Sequence, residues 1–431
     1  MTSTLERMRD GVVASTLPRR VAAVAAAGGL ILVAAIWGAR LSESVDLGLD
    51  AAPLFATWMP RLRPAIVLAA AIAIAVIWMD SRWSDAVPFR RLLFVCALAA
   101  AAWGIALALV DGTHGLVMGL DSRQHGYLVV LDRLGGPAEF LRTFTDRIAG
   151  YPTHVRGHPP GVMVLLLGLK GAGLASPAAV AAMLVAAGAS IPVAALLAAR
   201  DVMSEDLAKR AAPFLVLAPA AIWLVSNLDA LYAAVAAWCV VLFVRARRDE
   251  RFALAGGVVL GAGLFLTYGL VLFALVPAAL LASARRWRAM VFGATGVACV
   301  VVAFAAFGFW WLDGLAATRL EYFKGIASVR PYGYFLLANL AAFAIAVGVG
   351  AIAGLAAKPD RRVWLLAGSA LVVVAIADLS GMSKGEVERI WLPFWPFVAL
   401  LAAQVPAAER RWWLAGQALI ALAIPTLLFV P

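Results

Sequence analysis

The chain has 431 residues, 64% hydrophobic and only 14% charged, with a mean hydropathy of +0.92. A soluble domain of this length cannot hide that much apolar surface, so the composition describes an all-α polytopic membrane protein. The formal net charge of +11 sits in short linkers between apolar runs, the pattern of a topology signal, and no nucleic-acid partner is expected.

About 20 residues of helix span the hydrocarbon of a bilayer. On that rule the chain is read as about 13 spans, near 21–39, 64–79, 92–110, 177–199, 211–226, 229–246, 252–267, 269–284, 289–309, 333–356, 363–379, 390–405 and 412–430. No small-residue cleavage site follows the first run, which is read as a retained span. The three cysteines, Cys96, Cys239 and Cys299, lie within apolar runs and have no metal spacing. Three segments are expected: 1–91, an N-terminal cytoplasmic arm with two extra spans; 92–309, a module that includes a long loop at 111–176; and 310–431, a module with loops at 310–332 and 380–389.

One apolar run is not counted as a span. After "YPTHVRGHPPG", Val162 to Leu169 is only about 12 Å of helix, and Lys170 interrupts it. If this run does not cross, the linkers holding Arg200, Lys209, Arg210, "RARRDER", "ARRWR", "KPDRR" and "ERR" share a side with the basic N-terminus. That arrangement puts more than half of the 36 Lys and Arg in the cytoplasm, as the positive-inside rule requires. The plasma membrane is the expected location. The run becomes a juxtamembrane helix in the outer leaflet, started by Pro159 and Pro160. Loops 40–63, 111–176, 310–332 and 380–389 then lie outside.

All four histidines, His114, His125, His154 and His158, fall in the 111–176 loop. No carboxylate triad stands beside them, and no metal-site residue is expected. The loop 380–389 carries Lys384, Glu386, Glu388 and Arg389 in six residues beside a span. It reads either as an exposed loop of i,i+3 pairs or as part of a site. Asp229 in "NLD" starts a helix, where a carboxylate caps free N–H groups or serves a site. The aromatic group "WWLDG", Tyr322, Tyr332 and Tyr334 suits an interfacial belt or the stacking of sugar faces.

"HVRGHPPG" with the apolar run after it resembles the element found in polyprenyl-phosphate-sugar glycosyltransferases of the GT-C type. That group includes the protein O-mannosyltransferases and the lipid A aminoarabinose transferases. "LVSNLDALYAAVAAWCVVLFVRARRDE" is similar to the family's segment with an Asp at an outer helix end. "GLFLTYGLVLFALVPAALL" is similar to its next hairpin, with "LTY", ending at Tyr268, at the outer turn. "MSKGEVERIWLPFWPF" resembles a late outer loop of actinobacterial-type members. The resemblance covers roughly 92–405. It departs in having two extra N-terminal spans and, where the family carries an acidic pair, only Asp121 in "GLDSRQHGYL".

The resemblance implies transfer of a sugar from a polyprenyl-phosphate donor to a cell-envelope glycan or glycolipid acceptor at the outer face of the membrane lipids. A carboxylate acts as general base, and cations meet the donor phosphate. Asp121 is the first candidate base, with Asp146 and Asp132 as alternates; Asp132 beside Arg133 and Asp146 beside Arg147 read as local pairs. Donor contacts are expected from His154, Arg156, His158, Asp229, Tyr268, Arg319, Tyr322, Arg330, Tyr332, Lys384, Glu386, Glu388 and Arg389. The transfer needs no certain cofactor, and a divalent cation is the one left open. The competing readings are a transporter or flippase of an envelope lipid, which would show broken helices or internal repeats, and a non-catalytic scaffold of the same fold.

Overall fold

The computed structural model describes residues 2–121 and 126–430; within these, nothing is described of the side chains of 2–16, 81–86 and 121. The chain is an all-α polytopic membrane protein. Among the described residues six helices are long and apolar enough to cross a bilayer: Leu17–Leu41, Phe89–Asp111, Pro177–Val202, Asp229–Ala246, Trp287–Ala306 and Arg361–Leu379. A seventh span exists if the pair Tyr332–Val347 and Val349–Leu355, bent by 107°, is counted as one. The bend falls at Gly348, whose φ of 90° is open to glycine and closed to most other residues.

Of the other expected spans, 64–79 and 412–430 lie in continuous helices, Ala65–Ala86 and Ala407–Leu427, and the rest are helical but short or interrupted. Hydropathy reports how long an apolar run is, and not whether its helix is continuous. The 211–226 run ends as a helix at Val216 and resumes as a short turn, Pro219–Trp223, because Pro219 lacks the N–H that a continuing helix needs. The 269–284 run divides into Leu270–Phe273 and Leu275–Ser283, and 390–405 is made of short pieces. Helix starts carry their expected chemistry: Ser176 accepts from the Ala179 N–H and Ser204 from the Leu207 N–H. The run after the two prolines forms an eleven-residue helix, Gly161–Gly171, about 16 Å long and too short to cross. Its first N–H donates to the Phe265 carbonyl at 2.8 Å.

Small residues set the closest helix contact. Helices Arg251–Leu264 and Trp287–Ala306 meet at Gly257 and Gly293, where a Cβ on Gly257 would stand 2.0 Å from the Gly293 carbonyl oxygen. Backbones approach this closely in lipid only across small residues. A single hydrophobic core runs through all three expected segments, from Leu54 to Val430. A smaller cluster packs Ala34, Leu47 and Leu49 on Tyr334, Phe335, Ala338 and Ala341.

Linkers expected on one face meet one another. At the end expected inside, buried Arg20 pairs with Glu409 at 2.9 Å and buried Arg410 with Asp80 at 3.2 Å. The Arg362 guanidinium donates to the Met203 carbonyl, and Arg288 pairs with Glu250. At the opposite end Arg61 pairs with Asp111 at 2.5 Å. There Thr57–Trp58 also forms a two-residue antiparallel ladder with Leu428–Phe429.

Candidate functional site

The end of the bundle that holds Arg61 also gathers most of the expected site residues. Two segments far apart in sequence meet at Arg389. Its guanidinium donates through Nη1 to Asp229 at 2.9 Å, across 160 residues of chain, and through Nη2 to Glu386 in its own turn. All three side chains are largely buried. Burial works against the charge on Arg389, but Glu386 and Asp229 overcome it and drive its pKa up. Asp229 is the first residue of the helix Asp229–Ala246, one past its N-cap Leu228. The Asp229 carboxylate takes the Arg389 guanidinium.

The 380–389 loop is not a solvated loop of i,i+3 pairs. Its one such pair, Arg389–Glu386, is inside, and Glu386 holds the left-handed φ of 62°, a costly conformation for a residue with a Cβ. The loop is fixed from behind. Asn339 donates to Asp378 at 2.9 Å and to the Ser383 carbonyl at 2.7 Å, and accepts from the Gly385 N–H at 3.1 Å. The Lys384 ammonium donates to the Ala327 and Arg330 carbonyls at 2.9 and 3.0 Å, while its backbone N–H donates to the Tyr322 hydroxyl. The buried Arg330 guanidinium donates to the Leu47 carbonyl at 2.8 Å and to the Lys384 carbonyl, and stands 4.0 Å from Glu386. Burial lowers the pKa of Arg330, against the pull of Glu386. Lys384 and Arg330 are thus cross-links of the loop.

Beside the ion pair lies an aromatic and imidazole group. The Tyr127 and Tyr232 hydroxyls are 3.3 Å apart, Tyr127 stacks on His154, and His158 stands 5.2 Å from the Tyr232 ring. Tyr232 is one helical turn beyond Asp229. Burial lowers the His158 pKa and Arg389 adds to the effect, while Asp229, a backbone hydrogen bond to Leu266 and Glu386 oppose it. The His158 Nδ1 is buried without a partner. His154 and His158 are four residues apart, but the short helix Thr153–Arg156 stops before His158. Among the described residues no three His, Cys, Asp or Glu side chains could hold a metal together. His114 is exposed, and His125 lies outside the described residues.

A third group borders these. Arg156, with a third of its side chain exposed, faces Glu321 at 3.7 Å, and Glu321 also takes Lys324 at 2.8 Å. The Thr318 hydroxyl donates to the Arg156 carbonyl, tying the histidine segment to helix Trp311–Lys324. Arg319 lies over the Phe323 ring. The Tyr268 hydroxyl is buried nearby, 2.6 Å from where a Cβ on Gly314 would stand. The Tyr332 hydroxyl donates to the Leu379 carbonyl.

The carboxylates of the 111–176 loop separate clearly. Asp132 pairs with Lys170 at 2.9 Å and not with Arg133, and Arg147 faces Glu139 and not Asp146. Chain neighbours were the wrong partners because short helical turns place adjacent side chains on different faces. Asp146 is exposed, and Asp132 lies outward on an open groove of about 360 Å³ with Leu128, Leu131 and Pro177. The Asp121 side chain lies outside the described residues. Its helix, Met118–Asp121, is described, and at Gly119 a Cβ would come 2.5 Å from the Ser226 carbonyl and 2.8 Å from the Asn227 side-chain oxygen. The backbone that leads to Asp121 therefore abuts the "SNLD" turn, two residues from the ion-paired Asp229.

Sequence reading missed Tyr127, Tyr232, Asn339, Asp378 and the 42–58 backbone. Asn339 and Asp378 carried a signal, being polar residues inside expected spans. The others did not.

No protein-family model matches the chain, and no curated protein matches it. Among solved structures, the fold is similar to that of the Archaeoglobus fulgidus oligosaccharyltransferase, crystallised in complex with Zn and sulfate. The identity is 15%, the TM-score 0.46, and the match covers 79% of this chain and 53% of that one. This chain thus aligns with about half the length of that structure. A likeness at this level assigns no residue and no chemistry.

Proposed function

We propose that this protein is a GT-C type membrane glycosyltransferase. In this reading it moves a sugar from a polyprenyl-phosphate donor to a cell-envelope glycan or glycolipid acceptor at the outer face of the plasma membrane. The observation that carries the reading is the meeting of three remote polar segments at one end of the bundle. The histidine segment, the "SNLD" turn and the late charged loop join around Asp229, Glu386 and Arg389. An apolar chain has no packing need for such a centre, and buried charge of this kind is costly unless it serves something.

In the proposed reaction a carboxylate takes the proton of the acceptor hydroxyl as the sugar leaves the phosphate. Asp121 is the first candidate, since its backbone approaches the "SNLD" turn; Asp146 and Asp132 are second, being turned to solvent. The departing phosphate requires cations that are not already spent on carboxylates. Arg319, and Arg156, whose ion pair to Glu321 is long at 3.7 Å and whose side chain is a third exposed, fit that role better than Lys384, Arg330 and Arg389, whose donors are committed inside the protein. His154 and His158, with Tyr268, Tyr322 and Tyr332, line the approach.

The test is purified protein in nanodiscs supplied with radiolabelled polyprenyl-phosphate sugars of several kinds and with cell-envelope glycans and glycolipids as acceptors. Wild type is expected to move label from the lipid phosphate to an acceptor, and Asp121→Asn to slow the transfer by about 10²–10⁴-fold, the usual worth of a general base. Failure to consume any donor, or equal rates in the variant, overturns the assignment. One observation favours a transporter instead: the 107° break between Tyr332–Val347 and Val349–Leu355, since broken helices mark transport sites. Movement of a labelled lipid across a vesicle bilayer, with no sugar released, would select that reading.

A further inference from the structure

The 42–64 loop, between helix Leu17–Leu41 and helix Ala65–Ala86, reaches the charged centre through a residue that the proposed reaction does not use. Glu388 is 1% exposed. Its Oε1 accepts the Phe55 N–H at 2.8 Å, a contact across 333 residues of chain. Its Oε2 is buried and has no partner. The stretch around Phe55 lies between two separate anchors. Leu47 and Leu49 pack into the smaller core, with the Leu47 carbonyl on Arg330. Thr57 and Trp58 pair with Leu428–Phe429. Between those anchors Leu54 and Ala56 are buried in the main core, Ala52 and Phe55 pack on the smaller one, and the Phe55 N–H bond to Glu388 is a polar tie from this stretch to the turn that carries Glu386 and Arg389.

The charge around Glu388 is already balanced without it. Arg389 is committed to Asp229 and Glu386, and Arg330 to two carbonyls and Glu386. The charged groups that face Glu388 are Glu386 and Arg389 in its own turn and Arg330 from the segment before helix Tyr332–Val347. From the docked loop, Asp46 faces Arg330, while the loop offers Glu388 only a backbone N–H. An ionised Glu388 would leave an unpaired negative oxygen in the interior beside Glu386, whereas the neutral carboxyl keeps the Phe55 bond.

We propose that Glu388, in its neutral form, is a positioning residue that fastens the 50–56 stretch onto the turn holding Glu386 and Arg389, and that its ionisation releases that stretch. Burial first, and Glu386 in addition, move its pKa from the ordinary 4.5 to about 7, against the Phe55 and Glu388 N–H groups and Arg389. The sign follows. Between pH 4.5 and about 7 the docked form holds a proton that the released form has lost, so docking weakens as pH rises. Above about 7 both forms are ionised and the dependence ends.

Hydrogen exchange of peptides covering 50–56, on full-length protein in nanodiscs from pH 5 to 8.5 and corrected for intrinsic rates, reads this directly. In wild type, protection is expected to fall by up to about tenfold per pH unit to near pH 7 and then level off. Peptides from 42–49, held by the smaller core, are expected to show no such fall. In Glu388→Gln, which keeps the acceptor oxygen and cannot ionise, protection at 50–56 is expected to be independent of pH. Protection in wild type that is flat or rises with pH overturns the proposal, as does an unchanged fall in Glu388→Gln. If that variant does not fold, the wild-type titration alone decides. The readout is an amide and not turnover, so the proposal stands or falls separately from the transfer reaction.

Discussion

Removing Arg389 is expected to damage the fold as well as any binding. The sequence alone placed Arg389 on a donor phosphate, so that Arg389→Ala would leave the protein intact. The structure places its two terminal nitrogens on two different carboxylates, with 12% of its side chain exposed and 7% of that of Asp229. Breaking a buried pair by removing one partner typically costs about 3–5 kcal/mol, because the other charge stays buried alone. Arg389→Leu strands two carboxylates, so its cost belongs at the upper end of that range, and Asp229→Leu leaves Arg389 with Glu386 and belongs at the lower end. The double variant removes both charges and is expected to cost less than the sum by at least about 1.5 kcal/mol. The assay is a double-mutant cycle by denaturant unfolding in a fixed detergent. Arg389→Lys is the control for geometry, since one ammonium cannot replace a fork that reaches two carboxylates. Additivity within about 0.5 kcal/mol, or a stable Arg389→Leu, would refute the account of Arg389 as the internal cross-link of the site.

Four further outcomes follow from the same contacts. Single cysteines at Lys170 on one hand, and at Arg247, Arg286 and Arg361 on the other, are expected to label from opposite sides of intact vesicles; labelling of the Arg247 and Arg361 positions from outside would show that the 161–171 helix crosses. Lys384→Met is expected to cost about 1–3 kcal/mol of stability by stripping the donor from the Ala327 and Arg330 carbonyls, and a neutral result would place Lys384 outside the fold's support. Arg156→Ala is expected to weaken binding of a polyprenyl-phosphate analogue while leaving the melting temperature within a few degrees, its ion pair being half open at 3.7 Å; unchanged binding removes it from the donor site. His158 has a folded pKa below its ordinary 6.5, so the unfolded chain binds the extra proton and stability is lost as pH falls below about 6.5. His158→Phe is expected to flatten that limb of the stability profile, and an unchanged limb would assign it elsewhere.

What was legible in the sequence was whatever stood out against an apolar background. "HVRGHPPG", "NLD" and "SKGEVER" are polar clusters at the ends of greasy runs, and Asp229, Glu386, Arg389, His154 and His158 do converge. The Pro-Pro pair announced the short helix at Gly161 because a proline is tolerated at a helix start and not inside. What could not be read was partnership. Arg389 finds Asp229 across 160 residues, and nothing local prefers that carboxylate to Glu388, one position away. Glu388 and Arg330 meet backbone atoms of Phe55 and Leu47, and every residue type presents the same C=O and every one but proline the same N–H. The same limit hid the breaks at Gly348 and Pro219, which change a helix's direction and leave its hydropathy untouched.

Charge accounting within the site narrows where a phosphate could bind. Asp229 and Glu386 already claim Arg389, Glu386 also faces Arg330, and Lys384 is turned onto carbonyls. A phosphate entering this centre would have to displace a carboxylate from its guanidinium in a buried setting, at the cost of leaving that carboxylate bare. At the neighbouring group the balance differs. Arg156 shares Glu321 with Lys324, so two cations face one carboxylate; on the same helix Arg319 adds a third positive charge and Asp313 a second negative one, leaving a net charge of +1. The excess positive charge therefore lies on the segment that joins the histidine cluster to helix Trp311–Lys324. That segment also exposes Leu312, Leu320 and Phe323, apolar surface suited to the lipid tails that a polyprenyl phosphate would lie among. In the proposed reaction the ion-paired centre would stand as a wall beside His158, and phosphate recognition would fall to Arg156 and Arg319 at its edge.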